Sequence, residues 1–546
     1  MQHVLEDPFY YLGNFERALD WVGARYCHLL DDAEQAFIAR FPTLPRPSRA
    51  LLVRMVMRKG SHFRSSKLRY DEIGCPRKAA APLVAEGWVD EQPVLEIDTL
   101  FALMTKAELA AAFSLAPAVA AMPKAELLEH LRSAHEAPRP YAAWHPASTD
   151  CVYLNAVDPL CERLRLLFFG NAYQDWTEFV LADLGIYRYE QVDLSDNALG
   201  FRTRADVDHF LLLQDCRQRL AGGEPAAEVL AALPAALSDN PWLAARREKL
   251  LFSIGQQLER EDRLEEARAL YAGCRHAGAR LRFVRVLERL ERHDEAWRLA
   301  SAASAHPENE SELQQVARML PRLARKLGLA RPALAGAPPF ERIDLVLPGP
   351  DEAGVELAVA QRLREPQAPV FYVENALLSS LFGLLCWRAI FAPLPGAFFH
   401  PFHSGPADLH SPDFHARRAA LFDACFAELD SDAYRRTILA TYEEKSGIAS
   451  PFVAWPLLDP GLLELALDCI PASHLRPIFE RMLFDIGSNC AGLPDLIQFF
   501  QDERRYRMIE VKGPGDRLQD NQIRWLHRFA QHDIPVAVCY VRWEDA

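Results

Sequence analysis

The stretch from Leu496 to Val541 leaves this chain few choices. Leu496-Ile-Gln-Phe-Phe500 and Tyr506-Arg-Met-Ile-Glu-Val-Lys512 are apolar runs rich in aromatic and β-branched residues, joined by the polar turn Asp502-Glu-Arg-Arg505. They predict a β-hairpin. Gly513-Pro-Gly515 stops the second strand, and Asp516 to Gln531 carries Ile523, Leu526 and Phe529 on one side of an amphipathic helix. Ile534-Pro-Val-Ala-Val-Cys-Tyr-Val541 then reads as a further strand. Strand, helix, strand in that order implies parallel pairing through a right-handed crossover, so the C-terminal part folds as an α/β layer. Alternate side chains of a strand share a face. Glu510 and Lys512 therefore point one way, and Ile509 and Val511 the other.

A charged pair at the end of a buried strand needs a reason. Gly492-Leu-Pro-Asp495 places a second carboxylate at the start of the neighbouring strand. This is the P-D…(D/E)-x-K layout of restriction-endonuclease-like nucleases. Asp495 and Glu510 offer hard oxygen ligands to Mg²⁺ or Mn²⁺, one ion or two, and the Val511 carbonyl can add another. Lys512 stands where it can orient the attacking water and steady charge on a phosphate. The plain alternative is a surface carboxylate beside a salt-bridged strand. The strand context and the Gly-Pro-Gly stop favour the catalytic reading.

The rest of the chain looks helical. Leu12, Phe15, Leu19 and Val22 recur at helical spacing, as do the apolar residues from Ala50 to Met57. Arg46 to Lys78 holds ten basic residues against Asp71 and Glu72, in a chain whose net charge is −14. That acidic balance excludes a uniformly basic nucleic-acid coat, yet the local excess suits phosphate contact. It nominates Arg54, Arg58, Lys59, Arg64, Lys67 and Arg69. Thr105-Lys-Ala-Glu-Leu109 and Pro123-Lys-Ala-Glu-Leu127 start two short helices resembling a SAP-type DNA-binding pair, or equally a plain helical hairpin. Residues 136–149 are Pro- and Ala-rich and are expected to be a linker. Leu258 to Ala267 and Leu290 to Ala296 echo each other at about 29 residues, a degenerate tetratricopeptide-like repeat. Arg275, Arg280, Arg282, Arg285, Arg318, Arg322, Arg325, Lys326 and Arg331 form a second basic set there. A Pro-rich run from Ala333 to Phe340 is expected to end the helical part.

Several chemistries drop out. There is no G-x-x-x-x-G-K-[ST], so ATP-driven work is not expected. His400, His403 and His410 lack a frame for metal binding. The 11 cysteines contain no C-x-x-C pair and fit free thiols in a reducing compartment. Ala376 to Trp387 is too short to span a membrane and reads as a buried helix. The start has no cationic segment leading into an apolar one, so no signal peptide is expected. The expected location is cytoplasmic, on the nucleoid if the source is a bacterium.

Gly492-Leu-Pro-Asp-Leu496, Glu510-Val-Lys-Gly-Pro514, Asp516-Arg-Leu518 and Gln522-x-x-Trp525 together resemble the virus-type replication-repair nuclease (VRR-NUC) domain. Glu374-Asn-Ala-Leu-Leu-Ser-Ser-Leu-Phe-Gly-Leu-Leu-Cys-Trp387 resembles the segment preceding that domain in the Fanconi-associated nuclease family. Leu52-Val-Arg-Met-Val-Met-Arg-Lys59 and Lys67-Leu-Arg-Tyr-Asp-Glu-Ile73 resemble that family's N-terminal helices. The resemblance implies that Glu374 joins Asp495, Glu510 and Lys512 as catalytic residues. It also implies that Glu374, Asp495, Glu510 and the Val511 carbonyl hold the metal. From position alone, Glu374 would be a carboxylate stabilising a helix start. Gln522 is nominated as an auxiliary residue, for DNA or the attacking water, with a solvent-facing role as the alternative. Gly278-Ala-Arg-Leu281 and Lys249-Leu-Leu-Phe252 are similar to segments of the family's 5′-phosphate pocket and nominate Arg280 and Lys249. A lysine there lacks the bidentate fork of an arginine. The ubiquitin-binding zinc finger of eukaryotic members has no counterpart in this sequence.

The expectation is thus a multidomain α plus α/β protein: a basic helical N-terminal domain (1–90), SAP-like helices (91–150), a tetratricopeptide-like solenoid (151–340) and a VRR-NUC nuclease domain (341–546). The nuclease core is expected at about 430–546, with the Glu374 helix packed on it. The expected activity is that of a metal-dependent DNA phosphodiesterase, a 5′-flap endonuclease and 5′-to-3′ exonuclease acting in DNA repair, including interstrand crosslinks. Its partner would be branched, nicked or 5′-flapped duplex DNA, with DNA-dependent self-association left open. Rival readings are a Holliday-junction resolvase of the same fold and a noncatalytic repeat scaffold.

Overall fold

The computed structural model describes residues 7–179, 188–194, 200–234, 239–332, 336, 339–349, 354–411 and 413–544. Most of the Pro-rich run from Ala333 to Phe340 lies outside the described residues. Two compact units emerge: Met1–Tyr187 with Leu199–Val207, and Arg188–Ala198 with Asp208–Ala546.

In the first unit, helices α1 (Tyr10–Tyr26) and α2 (Arg46–Val56) bury the predicted stripe of Leu12, Phe15, Leu19 and Val22. A small sheet runs in the order β1 (His62–Arg64), β5 (Val152–Asn155), β2 (Val89–Asp90). Strand β5 belongs by sequence to the predicted solenoid, so the boundary at 150 is corrected: pairing with β1 and β2 draws it into the N-terminal unit. The predicted linker is corrected too. Strand β4 (Arg139–Pro140) pairs with β3 (Val94–Leu95), and Tyr141 and Trp144 are buried, with the Trp144 indole donating to the Leu95 carbonyl at 3.0 Å. Two aromatic side chains outweigh the loop-like composition around them. The SAP-like helices are α3 (Lys106–Ala112), capped reciprocally by Thr105 and Glu108, and α4 (Lys124–Arg132).

Within the second unit five successive helices pack each on the next: α5 (Pro241–Arg260), α6 (Leu264–Gly273), α7 (Ala279–Arg289), α8 (His293–Ala305) and α9 (Glu310–Leu327). The repeat is visible in the backbone. Asp262 and Glu291, both with φ +58°, make equivalent left-handed turns before α6 and α8. Beyond it lies a five-stranded sheet ordered β6-β10-β9-β8-β7: β6 (Glu341–Leu347), β10 (Val536–Trp543), β9 (Arg505–Lys512), β8 (Leu496–Phe500) and β7 (Val370–Tyr372). The hairpin β8–β9 is antiparallel, and β10 pairs parallel to both β9 and β6. Two of the five strands precede residue 430, so the sheet is assembled from a longer span than the expected core.

One sheet face packs on helix α10 (Val355–Leu363) through Ile509, Val511, Leu496 and Val541. The other face meets a large helical core that includes α11 (Leu377–Leu385), α12 (Ala472–Phe484) and α13 (Asp520–Gln531). Every residue of α11 is buried, Ser379 and Ser380 included, as a helix apolar nearly all round requires. Among the described residues no helix is long and apolar enough to cross a membrane, and all 11 cysteines are free thiols.

Candidate active site

The strand alternation read from the sequence holds in three dimensions. Ile509 and Val511 face α10, while Glu510 and Lys512 share the opposite face, with Lys512 Nζ 2.7 Å from Glu510 Oε1. Asp495 immediately precedes β8 and accepts the Val511 N–H at 2.7 Å through Oδ2. That bond crosses the hairpin and brings the two carboxylates together. Gly492 makes the approach possible. It has φ +80°, and a Cβ there would sit 2.5 Å from the Asn521 amide nitrogen. Only glycine meets both demands.

Glu374 arrives from β7. Its neighbour Val373 donates to the Asp495 carbonyl at 2.8 Å, extending the β7–β8 ladder by one residue. Glu374 thus emerges beside Asp495. The Tyr372 hydroxyl donates to one of its oxygens, and Asn375 Nδ2 donates to the other at 3.3 Å. Asn375 itself has φ +52°, a conformation asparagine tolerates better than most residues, and its Oδ1 accepts the Leu493 N–H at 3.1 Å. Asn375 therefore ties Glu374 to the loop that delivers Asp495. Sequence reasoning missed it. The available signal was an asparagine directly after a nominated carboxylate.

Gln522 lies in the first turn of α13. Its Oε1 accepts the Gln519 N–H at 2.8 Å, capping the helix, and its Nε2 donates to Glu510 Oε1 at 2.5 Å. The solvent-facing alternative for Gln522 is thereby set aside. Asp516 accepts the Gly513 N–H at 3.0 Å and so serves the turn that ends β9.

Electrostatically the site is strained toward negative charge. Burial pushes the Glu510 carboxyl up to about 8, with the charge of Asp495 adding to the effect and Lys512 opposing it. Burial likewise raises Asp495 to about 6, against the Val511 hydrogen bond, and Glu374 adds to it. The influence of Glu374 on both groups places three carboxylates in one electrostatic cluster. They are not drawn into a ready-made cage. Among the described residues, no group of three or more His, Cys, Asp or Glu side chains takes an arrangement that could hold an ion. Lys512 and Gln522 both meet Glu510 Oε1, and the Val511 N–H meets Asp495 Oδ2. The donor chemistry still fits a hard divalent cation: all three side chains offer oxygen, and two are buried with their ionised forms disfavoured.

The nominated DNA-binding residues divide sharply. Arg64 is 7% exposed and is held by Asp150 at 2.8 Å and Glu108 at 2.7 Å. Burial works against charge on Asp150, but Ser65, Ser66 and Arg64 overcome it and hold the carboxyl down at about 2. Arg54 is taken by Glu72 at 2.7 Å and stacks over Tyr11. Arg280 is clamped on the buried Glu312, with contacts of 2.7 and 2.5 Å. Arg64, Arg54 and Arg280 thus each hold an internal acidic partner, which a phosphate contact would have to displace or share. Arg58, Lys59, Lys67, Arg69 and Lys249 are exposed. A cleft of about 490 Å³ is lined by Glu259, Arg282, Arg285, Glu288, Arg289 and Arg322. Arg282, Arg289 and Arg322 pair with acidic neighbours, while Arg285 is exposed and has no ion-pair partner among the described residues.

Fold and site define a nuclease of the VRR-NUC class. Three family profiles match in order: "FAN1, HTH domain" over residues 9–90, "Fanconi anemia-associated nuclease SAP domain" over 94–144, and "VRR-NUC domain" over 430–543. A Fanconi-associated nuclease 1 homolog of Pseudomonas aeruginosa is 57% identical over 540 residues, covering 99% of this chain and 97% of the relative. One from Arabidopsis thaliana is 24% identical and covers 97% of this chain and 66% of the relative. The crystal structure of paFAN1 bound to 2-nucleotide 5′-flap DNA with a gap superimposes with a TM-score of 0.95, at 57% identity and 99% coverage of both chains. This chain belongs to the Fanconi-associated nuclease 1 family.

Proposed function

We propose that this chain is a structure-specific DNA nuclease, cutting as a 5′-flap endonuclease and 5′-to-3′ exonuclease, with a role in DNA repair that includes interstrand crosslinks. The observation that carries the reading is the meeting of Glu374, Asp495, Glu510 and Lys512 at one end of a sheet, from three separate strands and their edges. The likeness to a homologue crystallised on 5′-flap DNA supports the choice of substrate.

Glu374, Asp495, Glu510 and the Val511 carbonyl would hold Mg²⁺ or Mn²⁺. When bound, the ion would polarise the scissile phosphate and make water a better nucleophile near neutral pH. Lys512 orients the attacking water and steadies charge on the phosphate. Gln522 holds Glu510 in place. Hydrolysis in line leaves a 5′-phosphate and a 3′-hydroxyl. Arg285 in the repeat cleft, with Arg58, Lys59, Lys67, Arg69 and Lys249, supplies positive charge with no ion-pair partner among the described residues for the DNA backbone.

The test is cleavage of end-labelled 5′-flapped, nicked and four-way-junction DNA with Mg²⁺ or Mn²⁺. Cuts near the flap base on one strand are expected. Preferred symmetric cuts across the four-way junction would favour a resolvase instead.

A further inference from the structure

Helix α9 has two faces with different partners. Val316, Met319, Leu320 and Leu323 pack into the repeat stack against Val284, Leu287, Ala296 and Ala300. The other face carries polar residues four apart, Glu310, Gln314 and Arg318, which form one stripe on a helix. Each meets the nuclease part. Glu310 accepts from Arg481 of α12 at 2.9 and 2.6 Å, Gln314 accepts from Arg524 of α13 at 2.6 Å, and Arg318 makes a bidentate pair with Asp520 of α13 at 2.7 and 2.6 Å. Asp520 and Arg524 flank Gln522, whose amide reaches Glu510. Two of these three contacts thus hold the start of α13, the part of the helix that points into the active site.

We propose that Arg318, through Asp520, is a positioning residue that sets the first turn of α13 so that Gln522 meets Glu510. The helical repeats then do more than bind: their last helix fixes the alignment of the catalytic carboxylate. A planar guanidinium on a planar carboxylate fixes both distance and orientation, which a point charge does not. The pair is half exposed, at 50% and 44% for the two side chains, so removing it leaves the fold standing and loosens one contact. A small displacement at a reacting group is amplified in rate. The next residue of the stripe, Arg322, lines the arginine cleft, so the cleft and the catalytic turn share one helix.

This inference rests on the nuclease reading, and the experiment separates the two. Single-turnover cleavage of 5′-flapped DNA with Mn²⁺, and DNA affinity with Ca²⁺, are measured on the full chain for the parent, Arg318→Ala, Gln522→Ala, their double variant, and the swap Arg318→Asp with Asp520→Arg. Hydrogen exchange of the first turn of α13 is followed in the DNA-free protein. Arg318→Ala should slow the chemical step about tenfold, with DNA affinity changed less than about twofold. The double variant should be no slower than Gln522→Ala alone, and the swap should recover much of the rate. Exchange in the α13 turn should quicken in Arg318→Ala and return toward parent in the swap. Additive losses, a loss confined to DNA affinity, or no recovery in the swap would overturn the proposal while leaving the nuclease reading intact. A parent that cuts no DNA would remove the nuclease reading and this inference together.

Discussion

The ammonium of Lys512 lies 2.7 Å from the carboxylate of Glu510, two residues back on the same strand and the same face. Both side chains are almost fully buried. The pair joins the residue expected to steady the phosphate to the residue expected to hold the metal. Removing the lysine should therefore strip transition-state stabilisation without unfolding the sheet. Lys512→Ala should lower the rate of 5′-flap cleavage by about 10²–10³-fold, with DNA affinity nearly unchanged. Equal rates in variant and parent would exclude Lys512 from the mechanism.

Glu510 gives a pH signature. Its folded carboxyl titrates at about 8 against an ordinary 4.5, raised by burial and by Asp495. The folded chain then keeps a proton that the unfolded chain has lost. Stability from this source is full below about pH 4.5 and is lost as pH rises through about 8. Metal-free protein should melt at progressively lower temperature across that window, and Glu510→Gln should flatten the trend. Added Mn²⁺ should raise the melting temperature more at pH 8 than at pH 6, because proton and metal compete for the same oxygens. A parent profile as flat as that of the variant would contradict the buried site.

Gly492 is expected to resist change. With φ +80° and Asn521 2.5 Å from where a Cβ would stand, Gly492→Ala forces the loop ahead of Asp495 to move. The cost should be about 1–3 kcal/mol in unfolding free energy, with slower cleavage. Denaturant titration and single-turnover rates on the same preparation would check both.

Asn375 should behave alike for a different reason. Asn375→Ala removes the bond to the Leu493 N–H and places a less tolerant residue at φ +52°. A loss of about 1–2 kcal/mol is expected, with a fall in rate as Glu374 loses one of its two supports. Asn375→Asp should retain the acceptor for Leu493 and more of the stability. Identical melting of all three proteins would argue against the tether.

The arginines separate into those that hold the fold and those left for a ligand. Arg280→Ala strands the buried Glu312 and should cost about 3–5 kcal/mol, as should Arg64→Ala beside Asp150. Arg285→Ala should leave the melting temperature alone and reduce the salt dependence of DNA binding by about one phosphate contact. Thermal melts with affinity measured over a salt series would show the contrast. A destabilised Arg285→Ala variant would place that residue with the structural arginines.

How much of this was legible beforehand follows from the range of each interaction. The hairpin β8–β9, the crossover helix α13 and the shared face of Glu510 and Lys512 come from periods of two and 3.6 residues, which neighbours along the chain set by themselves. The capping box at Thr105 and the buried helix α11 are local in the same sense. Glu374 was nominated by resemblance, since nothing near it announces that β7 will pair beside β8. The linker reading of 136–149 failed because composition does not reveal that Trp144 finds the Leu95 carbonyl. Gln522 was noticed, but its two-ended use was not.

The sequence by itself determined which segments become strands and helices and which residues share a face, because backbone sterics and side-chain periodicity act within a few residues. Only the tertiary structure decided which charges are spent. Arg64 met Asp150, Arg280 met Glu312 and Arg318 met Asp520, whereas Arg285 met no acid among the described residues. An arginine's role depends on the carboxylate that folding brings to it, and most of these partners lie far along the chain. The same holds for the active site, where Glu374 reaches Asp495 through the pairing of β7 with β8.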